Sequence, residues 1–273
     1  MACTVGDVRA VMRRHYPEEW AADWDAVGLV CGDPRASVRR ILLAVDPVPS
    51  VVDEALLVQA DMIITHHPLF LHGVHAVTPE TAGGSIVHTL ISHGIALYCA
   101  HTNADHASPG VSDALAAALG VYDTVPVQIT GGEGVGVGRI GRIGDPCSLR
   151  EFAVRVTGSL PATVQGIRVA GDLDRVVTTV AVCGGAGDSL LETIGSSADV
   201  YVTSDLRHHR AQDHLAAGGS ALIDVAHWAS EWPWLHQAAE LLRNDPTLHR
   251  VDIGVSTIVT DPWTATVRSD DEG

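Results

Sequence analysis

The amino-acid sequence predicts an α/β protein made of two similar α/β domains that arose by internal duplication, with mostly parallel sheets. Two observations carry this prediction. Short apolar segments rich in valine and isoleucine alternate with helical segments, and a set of short motifs in the first half returns in the same order in the second half. A chain of 273 residues is also long enough for two domains that each bury a core.

The alternation of strands and helices is clearest in the first half of the chain. The predicted segments are, in order, 41–45, 51–59, 62–65, 85–92 and 95–100. Strand, helix, strand is the order of a parallel sheet, because parallel neighbours need a crossover connection. After a glycine-rich stretch at residues 131–144, Ser148 is placed to cap a helix over residues 149–156. We therefore predict domains of residues 1–130 and 131–273.

Two motifs indicate the duplication. Residues 60–65 and residues 198–203 both read Ala-Asp, three apolar residues and Thr, each after a predicted helix. Further along, each half ends a predicted strand with a histidine followed four positions later by a carboxylate, at residues 101–105 and 227–231. Because these echoes keep the same order, we infer a repeated βαβ unit in which the two equivalent strand ends face one site.

Charge and cysteine content limit the classes of partner and the location. The chain has 33 acidic and 17 basic residues, a formal charge of −16, which repels nucleic-acid phosphates and anionic membrane surfaces. We expect no nucleic-acid or membrane partner. The five cysteines are odd in number and widely spaced, and the N-terminal segment is interrupted by charges, so we expect a cytoplasmic protein with reduced cysteines.

Histidines follow three predicted strands, at the place where an open α/β sheet binds its ligands. Imidazole nitrogens and carboxylate oxygens without cysteine suit zinc, iron or manganese and do not select one of them. We therefore predict a site for two divalent metal ions. The predicted ligands are His66, His67, Asp105, His227 and Glu231.

The tandem pair His66 and His67 is followed by Pro68, which favours an extended backbone before it. Adjacent side chains of an extended segment point to opposite faces, so we expect each imidazole to serve a different ion. His101 has two interpretations, as a ligand or as a group that orients a ligand or transfers a proton. We assign it a catalytic role.

Pro233 predicts where the last helix begins. Proline is tolerated in the first turn of a helix, and Ser230 is a good N-terminal cap, so we expect the helix to start near Ser230 with Glu231 in its first turn. His227 then closes the preceding strand. The pair His227 and Glu231 is expected to converge across a turn and not along one face of a helix.

At these residues the chain resembles the Nif-three-like dinuclear metal centre proteins, many of which are named GTP cyclohydrolase I type 2 homologs. The motifs that carry the resemblance are residues 24–29, 64–69, 101–105, 183–187 and 224–231. The resemblance implies two intertwined α/β domains, a toroidal homohexamer with metal sites facing its cavity, and ligation by the same five residues. The chain departs from the family in having Ala26 where Asn is common, and in lacking the inserted central domain of longer members.

The expected function is a metal-dependent hydrolase that acts on a nucleotide-like or other small substrate, as the name GTP cyclohydrolase type 2 homolog implies. The alternative is a metal-binding scaffold without catalysis, for metal storage, delivery or sensing with protein partners. The number of protein ligands discriminates between them. Five ligands around two ions leave positions for water and substrate, which favours catalysis.

Overall fold

The computed structural model describes residues 2–132 and 134–267, and the chain forms two compact units. The first unit contains the residues up to Ala107 together with Leu235–Thr260. The second contains the described residues of Ser108–Trp234 together with residues 261–267. Each unit is therefore built from two separate segments of the chain. Residues 130 and 131, where the glycine-rich stretch predicts a boundary, lie between two paired strands of the second unit.

The helices and strands follow one another along the chain as α1 (Val5–His15), β1 (Gly28–Cys31), β2 (Arg40–Ala44), α2 (Pro49–Leu57), β3 (Met62–Thr65), α3 (Ala82–Ser92), β4 (Ala96–Cys99), α4 (Thr102–His106), α5 (Val111–Ala118), β5 (Val121–Ile129), β6 (Gly136–Ser148), α6 (Leu149–Ser159), β7 (Arg168–Ala170), β8 (Val176–Ala186), α7 (Leu191–Ile194), β9 (Val200–Ser204), α8 (His208–Ala216), β10 (Ala221–Val225), α9 (His227–Asn244) and β11 (Asp252–Val255). The strands and helices predicted between residues 41 and 100 all form, with ends that shift by up to three residues. Among the described residues no helix has both the length and the apolar character that crossing a membrane requires.

The first unit contains a five-stranded sheet in the order β1-β4-β3-β2-β11. Three neighbouring pairs are parallel, and β1 pairs antiparallel with β4 at the edge. Every residue of β3 and β4 is buried, as expected for strands of a parallel sheet that is covered on both faces. Because β3 and β4 are parallel neighbours, the chain leaves both strands at the same edge of the sheet, and His66 and His101 follow there.

The second unit contains a six-stranded sheet in the order β5-β6-β8-β9-β10-β7. Here only the pairs β8-β9 and β9-β10 are parallel, and the other three are antiparallel. The prediction of mostly parallel sheets therefore holds for the first unit, whereas the second sheet is mixed. The glycine-rich stretch explains the difference, because it lets β6 return closely beside β5: a Cβ at Gly136 would lie 2.2 Å from the carbonyl oxygen of Gln128.

The topology confirms the internal duplication. In the first unit β2, β3 and β4 are parallel neighbours with β1 antiparallel at the edge, and β8, β9, β10 and β7 repeat this arrangement. The repeated Ala-Asp motif also makes the same contacts in both units. Asp61 Oδ2 accepts from the backbone N–H groups of residues 39 and 40, at 2.7 and 3.0 Å. Asp199 Oδ2 accepts from those of residues 178 and 179, at 2.8 and 2.9 Å.

Each sheet lies at the centre of its own hydrophobic core. In the first unit Ile63 and Leu97 pack among buried residues of α2 and α3. In the second, Val202 and Ile223 pack against Phe152 of α6, the helix predicted over residues 149–156. That helix begins as predicted, because Ser148 Oγ accepts from the backbone N–H of residue 151 and the Glu151 carboxylate accepts from the Ser148 N–H. Each unit thus has its own hydrophobic core, which supports the polar residues at the ends of its strands.

Candidate metal centre

The first set of candidate ligands follows β3 and β4 in the first unit. His66, His67 and His101 each offer a ring nitrogen, and these nitrogens all lie within 4.8 Å of one another. The ring centroid of His66 is 5.1 Å from that of His67 and 5.2 Å from that of His101. The structure therefore gathers three imidazoles that the sequence placed at two strand ends.

The expectation that His66 and His67 point to opposite faces is wrong, because their rings converge. Strand β3 ends at Thr65, so the alternation of a regular strand does not govern the next two side chains. Their backbone N–H groups donate to the carbonyl oxygens of Ala44 and Val45, at 3.2 and 2.8 Å, and so fix the turn that follows the strand. One ion can thus lie within reach of both imidazoles.

Each of the three imidazoles is held through Nδ1, which leaves Nε2 as the nitrogen that can bind a metal. His66 Nδ1 lies 2.9 Å from the carbonyl oxygen of Ala100. His67 Nδ1 lies 2.6 Å from Asp46 Oδ1, and His101 Nδ1 lies 2.9 Å from Asp25 Oδ1. Carbonyl and carboxylate oxygens only accept, so Nδ1 carries the proton in every case. This is the usual way in which proteins orient metal-binding histidines.

Asp25 orients the backbone as well as the imidazole of His101. Its side chain is buried and accepts from the backbone N–H of Thr102 at 3.0 Å and from the Thr102 hydroxyl. Burial opposes the charged form, but the hydrogen bonds from His101 and Thr102 outweigh it and hold the pKa of Asp25 well below its usual range. Asp25 is therefore a carboxylate at neutral pH and fixes the start of α4, the helix that carries Asp105.

Asp105 lies in the short helix α4, four residues after His101, and its backbone N–H donates to the His101 carbonyl oxygen at 3.1 Å. Asp105 Oδ1 is 3.7 Å from His66 Nε2. Two ligand atoms that share one ion at about 2.0–2.2 Å are roughly 3–4 Å apart. The predicted ligands His66 and Asp105 therefore have a separation that suits a shared ion.

The second set of candidate ligands lies at the start of α9 in the second unit. His227 Nε2 is 3.0 Å from Glu231 Oε1, and His227 Nδ1 is 2.7 Å from Asp205 Oδ2. The imidazole is thus oriented by a carboxylate through Nδ1, as His67 and His101 are in the first unit. Glu231 is buried, which is costly for a carboxylate unless it is paired with positive charge or a metal.

The predicted start of the last helix near Ser230 is wrong, because α9 begins at His227 and contains Pro233 in its interior. The Ser230 N–H donates to the Ala226 carbonyl oxygen at 3.1 Å, so the first helical turn is already formed at these residues. His227 and Glu231 consequently lie one turn apart on one helical face. The interior proline costs about 3 kcal/mol, which the complete burial of apolar side chains such as Trp234 offsets.

Gly185 leaves space beside the pair of His227 and Glu231. Its φ is +68°, and a Cβ there would lie 2.5 Å from Glu231 Oε1 and 3.2 Å from His227 Nε2. The Gly185 N–H donates to Ser230 Oγ at 2.8 Å, which holds the glycine backbone against α9. The missing side chain and the donor set of imidazole and carboxylate both fit a divalent cation at this position.

Sequence reasoning identified the candidate ligands but missed the three carboxylates that orient them, Asp25, Asp46 and Asp205. A strand-end signal was present for two of the three, and the third, Asp25, lies in the motif of residues 24–29. Asp46 comes two residues after β2 and Asp205 directly after β9, at strand ends like those that carry the histidines. Asp25 has no such signal, because it precedes β1 and reaches His101 from 76 residues away in sequence.

We predict that Asp25→Ala lowers zinc affinity about 10- to 100-fold, because His101 and α4 lose the group that orients them. Asp25→Asn keeps an acceptor oxygen for His101 and should lower the affinity less. Competition with a chromophoric chelator measures the affinity, and Asp23→Ala, which removes an exposed neighbouring carboxylate, is the matched control. Equal zinc affinity in Asp25→Ala and Asp23→Ala would contradict the assigned role.

Comparison with known proteins agrees with the fold and the motifs. A sequence model of Duf34/NIF3 (NGG1p interacting factor 3) matches residues 3–262. A Streptomyces coelicolor protein named GTP cyclohydrolase 1 type 2 homolog is 49% identical over 260 residues, which cover 93% of this chain and 91% of that protein.

Solved structures also share the fold of this chain. A Bacillus cereus protein related to NIF3 superposes with a TM-score of 0.90 at 25% identity, covering 97% of this chain and 100% of that one. A hypothetical protein of Staphylococcus aureus superposes with a TM-score of 0.88 at 27% identity and the same coverage. The family match spans nearly the whole chain and includes all of the candidate ligands. The chain therefore belongs to the Duf34/NIF3 family.

Proposed function

We propose that this protein binds two divalent metal ions and hydrolyses a small, nucleotide-like or other substrate with them. The observation that carries the proposal is the convergence of three imidazoles in the first unit, each with Nδ1 held by an acceptor. His101 is oriented by Asp25 as His67 is by Asp46, so we propose it as a sixth ligand and not only as a catalytic group. The proposed ligands are His66, His67, His101, Asp105, His227 and Glu231.

The protein residues prepare this chemistry in two ways. Asp25, Asp46 and Asp205 hold imidazoles in the tautomer that presents Nε2. Asp105 and Glu231 bring negative charge that offsets the charge of the cations. When bound, the ions supply Lewis acidity and lower the pKa of a coordinated water toward neutrality. Six protein ligands for two ions are fewer than two closed coordination spheres need, which supports catalysis over storage.

We expect turnover to require a divalent metal. Protein treated with chelator should lose its activity on a panel of esters, amides, phosphate esters and nucleotides, and should regain it with zinc, manganese or iron. Exposed His72 offers the control, since His72→Ala should leave activity unchanged. Turnover that survives full metal depletion would refute the hydrolase proposal. Stoichiometric metal with no reaction on any substrate would instead favour the scaffold for storage, delivery or sensing.

We further propose that the chain assembles into a homohexamer in the cytoplasm. The family resemblance supports the hexamer, and the location is supported by five cysteines that are free thiols. Size exclusion coupled to light scattering should report six chains of 28.7 kDa each. A monomer at micromolar concentration would remove the hexamer from the proposal.

A further inference from the structure

A cavity of about 400 Å³ opens beside His67 and His101 in the first unit. Its apolar wall consists of residues 47–48, residues 68–69 and Leu71, from the loops that follow β2 and β3. Its remaining lining is Asp46, His67 and His101. The volume is in the range of small-molecule sites, roughly 300–1,000 Å³. The cavity therefore adjoins two proposed ligands and can hold a substrate group next to the reacting centre.

The cavity has no cationic side chain in its lining. The sequence contains no lysine, so arginine is the only permanently cationic side chain in the chain. Arginines of the first unit that form ion pairs with carboxylates outside the cavity are Arg9, Arg13, Arg14, Arg35, Arg39 and Arg40. The walls of the cavity therefore offer no side chain of the kind that commonly binds phosphate, and a phosphate near His67 and His101 would be held by the proposed metal ions and not by the cavity.

Asp46 adds negative charge to the same wall. Its Oδ1 lies 2.6 Å from His67 Nδ1, and its Oδ2 accepts from the hydroxyl of Thr260. These contacts keep the carboxylate in place, and it repels an anionic group that enters the cavity. The side chain of Leu71 is 44% accessible, and an apolar occupant would remove this apolar surface from water. Trp24, 62% exposed and edge-on to His101 at 5.9 Å, adds aromatic surface near the same histidine.

We propose that this cavity is the subsite for an uncharged apolar or aromatic group of the substrate, such as a flat heterocycle, and that its walls do not bind phosphate. The inference rests on the proposed metal-dependent function and narrows its substrate class. In a nucleotide-like substrate, the ring and not the phosphates would occupy the cavity. Among other small substrates, the class is an amide, ester or cyclic amidine with an apolar substituent.

The test uses hydroxamates, which bind metal ions directly and differ in their tails. Zinc-loaded protein is titrated by calorimetry with acetohydroxamate, benzohydroxamate and phosphonoacetohydroxamate. Benzohydroxamate should bind about tenfold more tightly than acetohydroxamate, because the apolar wall of the open cavity covers part of its ring. Phosphonoacetohydroxamate should bind no more tightly than acetohydroxamate.

Two leucines provide matched variants. Leu71→Asp places a second carboxylate in the cavity and should reduce the advantage of benzohydroxamate to less than about threefold. Leu57→Asp makes the same change on the exposed face of α2, where Leu57 is 83% accessible, and should leave the advantage intact. Leu71→Ser, without the charge, should give an intermediate value. Zinc content is measured in every sample, so that a change in tail preference is separated from a loss of metal.

The outcomes distinguish this inference from the function on which it rests. Zinc-loaded protein that binds both uncharged hydroxamates equally, or that prefers the phosphonate tail, overturns the apolar subsite but leaves the metal site standing. A preference for benzohydroxamate that persists in Leu71→Asp overturns the location of the subsite. Protein that retains no zinc overturns both proposals together.

Discussion

His66→Ala, His67→Ala and His101→Ala are each expected to lower zinc affinity roughly a hundredfold. The physical reason is that structural zinc sites release about 10–16 kcal/mol on binding, so one of four ligands contributes on the order of 3 kcal/mol. Since the three imidazole nitrogens lie within 4.8 Å of one another, removal of any one affects the same cluster. Plasma mass spectrometry of the purified proteins measures zinc per chain, and chelator competition measures the affinity.

The fold should survive these substitutions, because the hydrophobic core of the first unit is formed by other residues. His72→Ala is the matched control, since His72 lies in the loop after β3 but is exposed and outside the cluster. Circular dichroism checks that each variant is folded. Zinc occupancy equal to wild type in all three cluster variants would contradict the assignment of the site.

The sequence located the candidate ligands because a simple rule applies to them. Open α/β sheets bind ligands beyond the carboxyl ends of their strands, and histidines follow β3, β4 and β10 directly or after one connecting residue. The rule needs only the strand ends, which the runs of buried apolar residues indicate well. The duplication could also be predicted from the sequence. Its repeated Ala-Asp motif has a structural role, since Asp61 and Asp199 accept equivalent backbone hydrogen bonds in their own units.

The directions of the side chains were harder to predict from the sequence, because they depend on contacts between distant segments. The convergence of His66 and His67 requires Ala100 and Asp46 as acceptors, and Asp46 is 21 residues away from His67. The interior position of Pro233 required weighing one lost hydrogen bond against the burial of an apolar helix face. The mixed second sheet likewise depends on which strands pair, and local patterns of β5 and β6 do not determine that.

A buried ion pair between Arg139 of β6 and Asp113 of α5 holds part of the second unit together. Arg139 is 1% exposed, and its Nε and Nη2 donate to the two oxygens of Asp113, each at 2.8 Å. Its Nη1 donates to the carbonyl oxygens of Gly136 and Gly138, at 2.7 and 2.8 Å. Asp113 Oδ2 also accepts from the Gly110 N–H at 2.9 Å, so one carboxylate joins the start of α5 to β6.

Arg139→Met is expected to lower the free energy of unfolding by about 3–5 kcal/mol, because it leaves the Asp113 carboxylate and two carbonyl groups without their charged donor in a buried site. Urea unfolding followed by circular dichroism gives the change. Arg142→Met, on the same strand but exposed, should change stability by no more than about 0.5 kcal/mol.

The double variant Arg139→Met with Asp113→Asn separates the charge from the packing. The amide introduced by Asp113→Asn would keep an oxygen for the Gly110 N–H and would carry no charge, so the double variant should regain part of the stability that Arg139→Met loses. If the uncompensated carboxylate is the main cause of the loss, the double variant should regain more than half of the lost free energy of unfolding. A double variant less stable than Arg139→Met would show instead that Asp113 stabilises α5 independently of Arg139. If Arg139→Met is as stable as Arg142→Met, the role of the ion pair is contradicted.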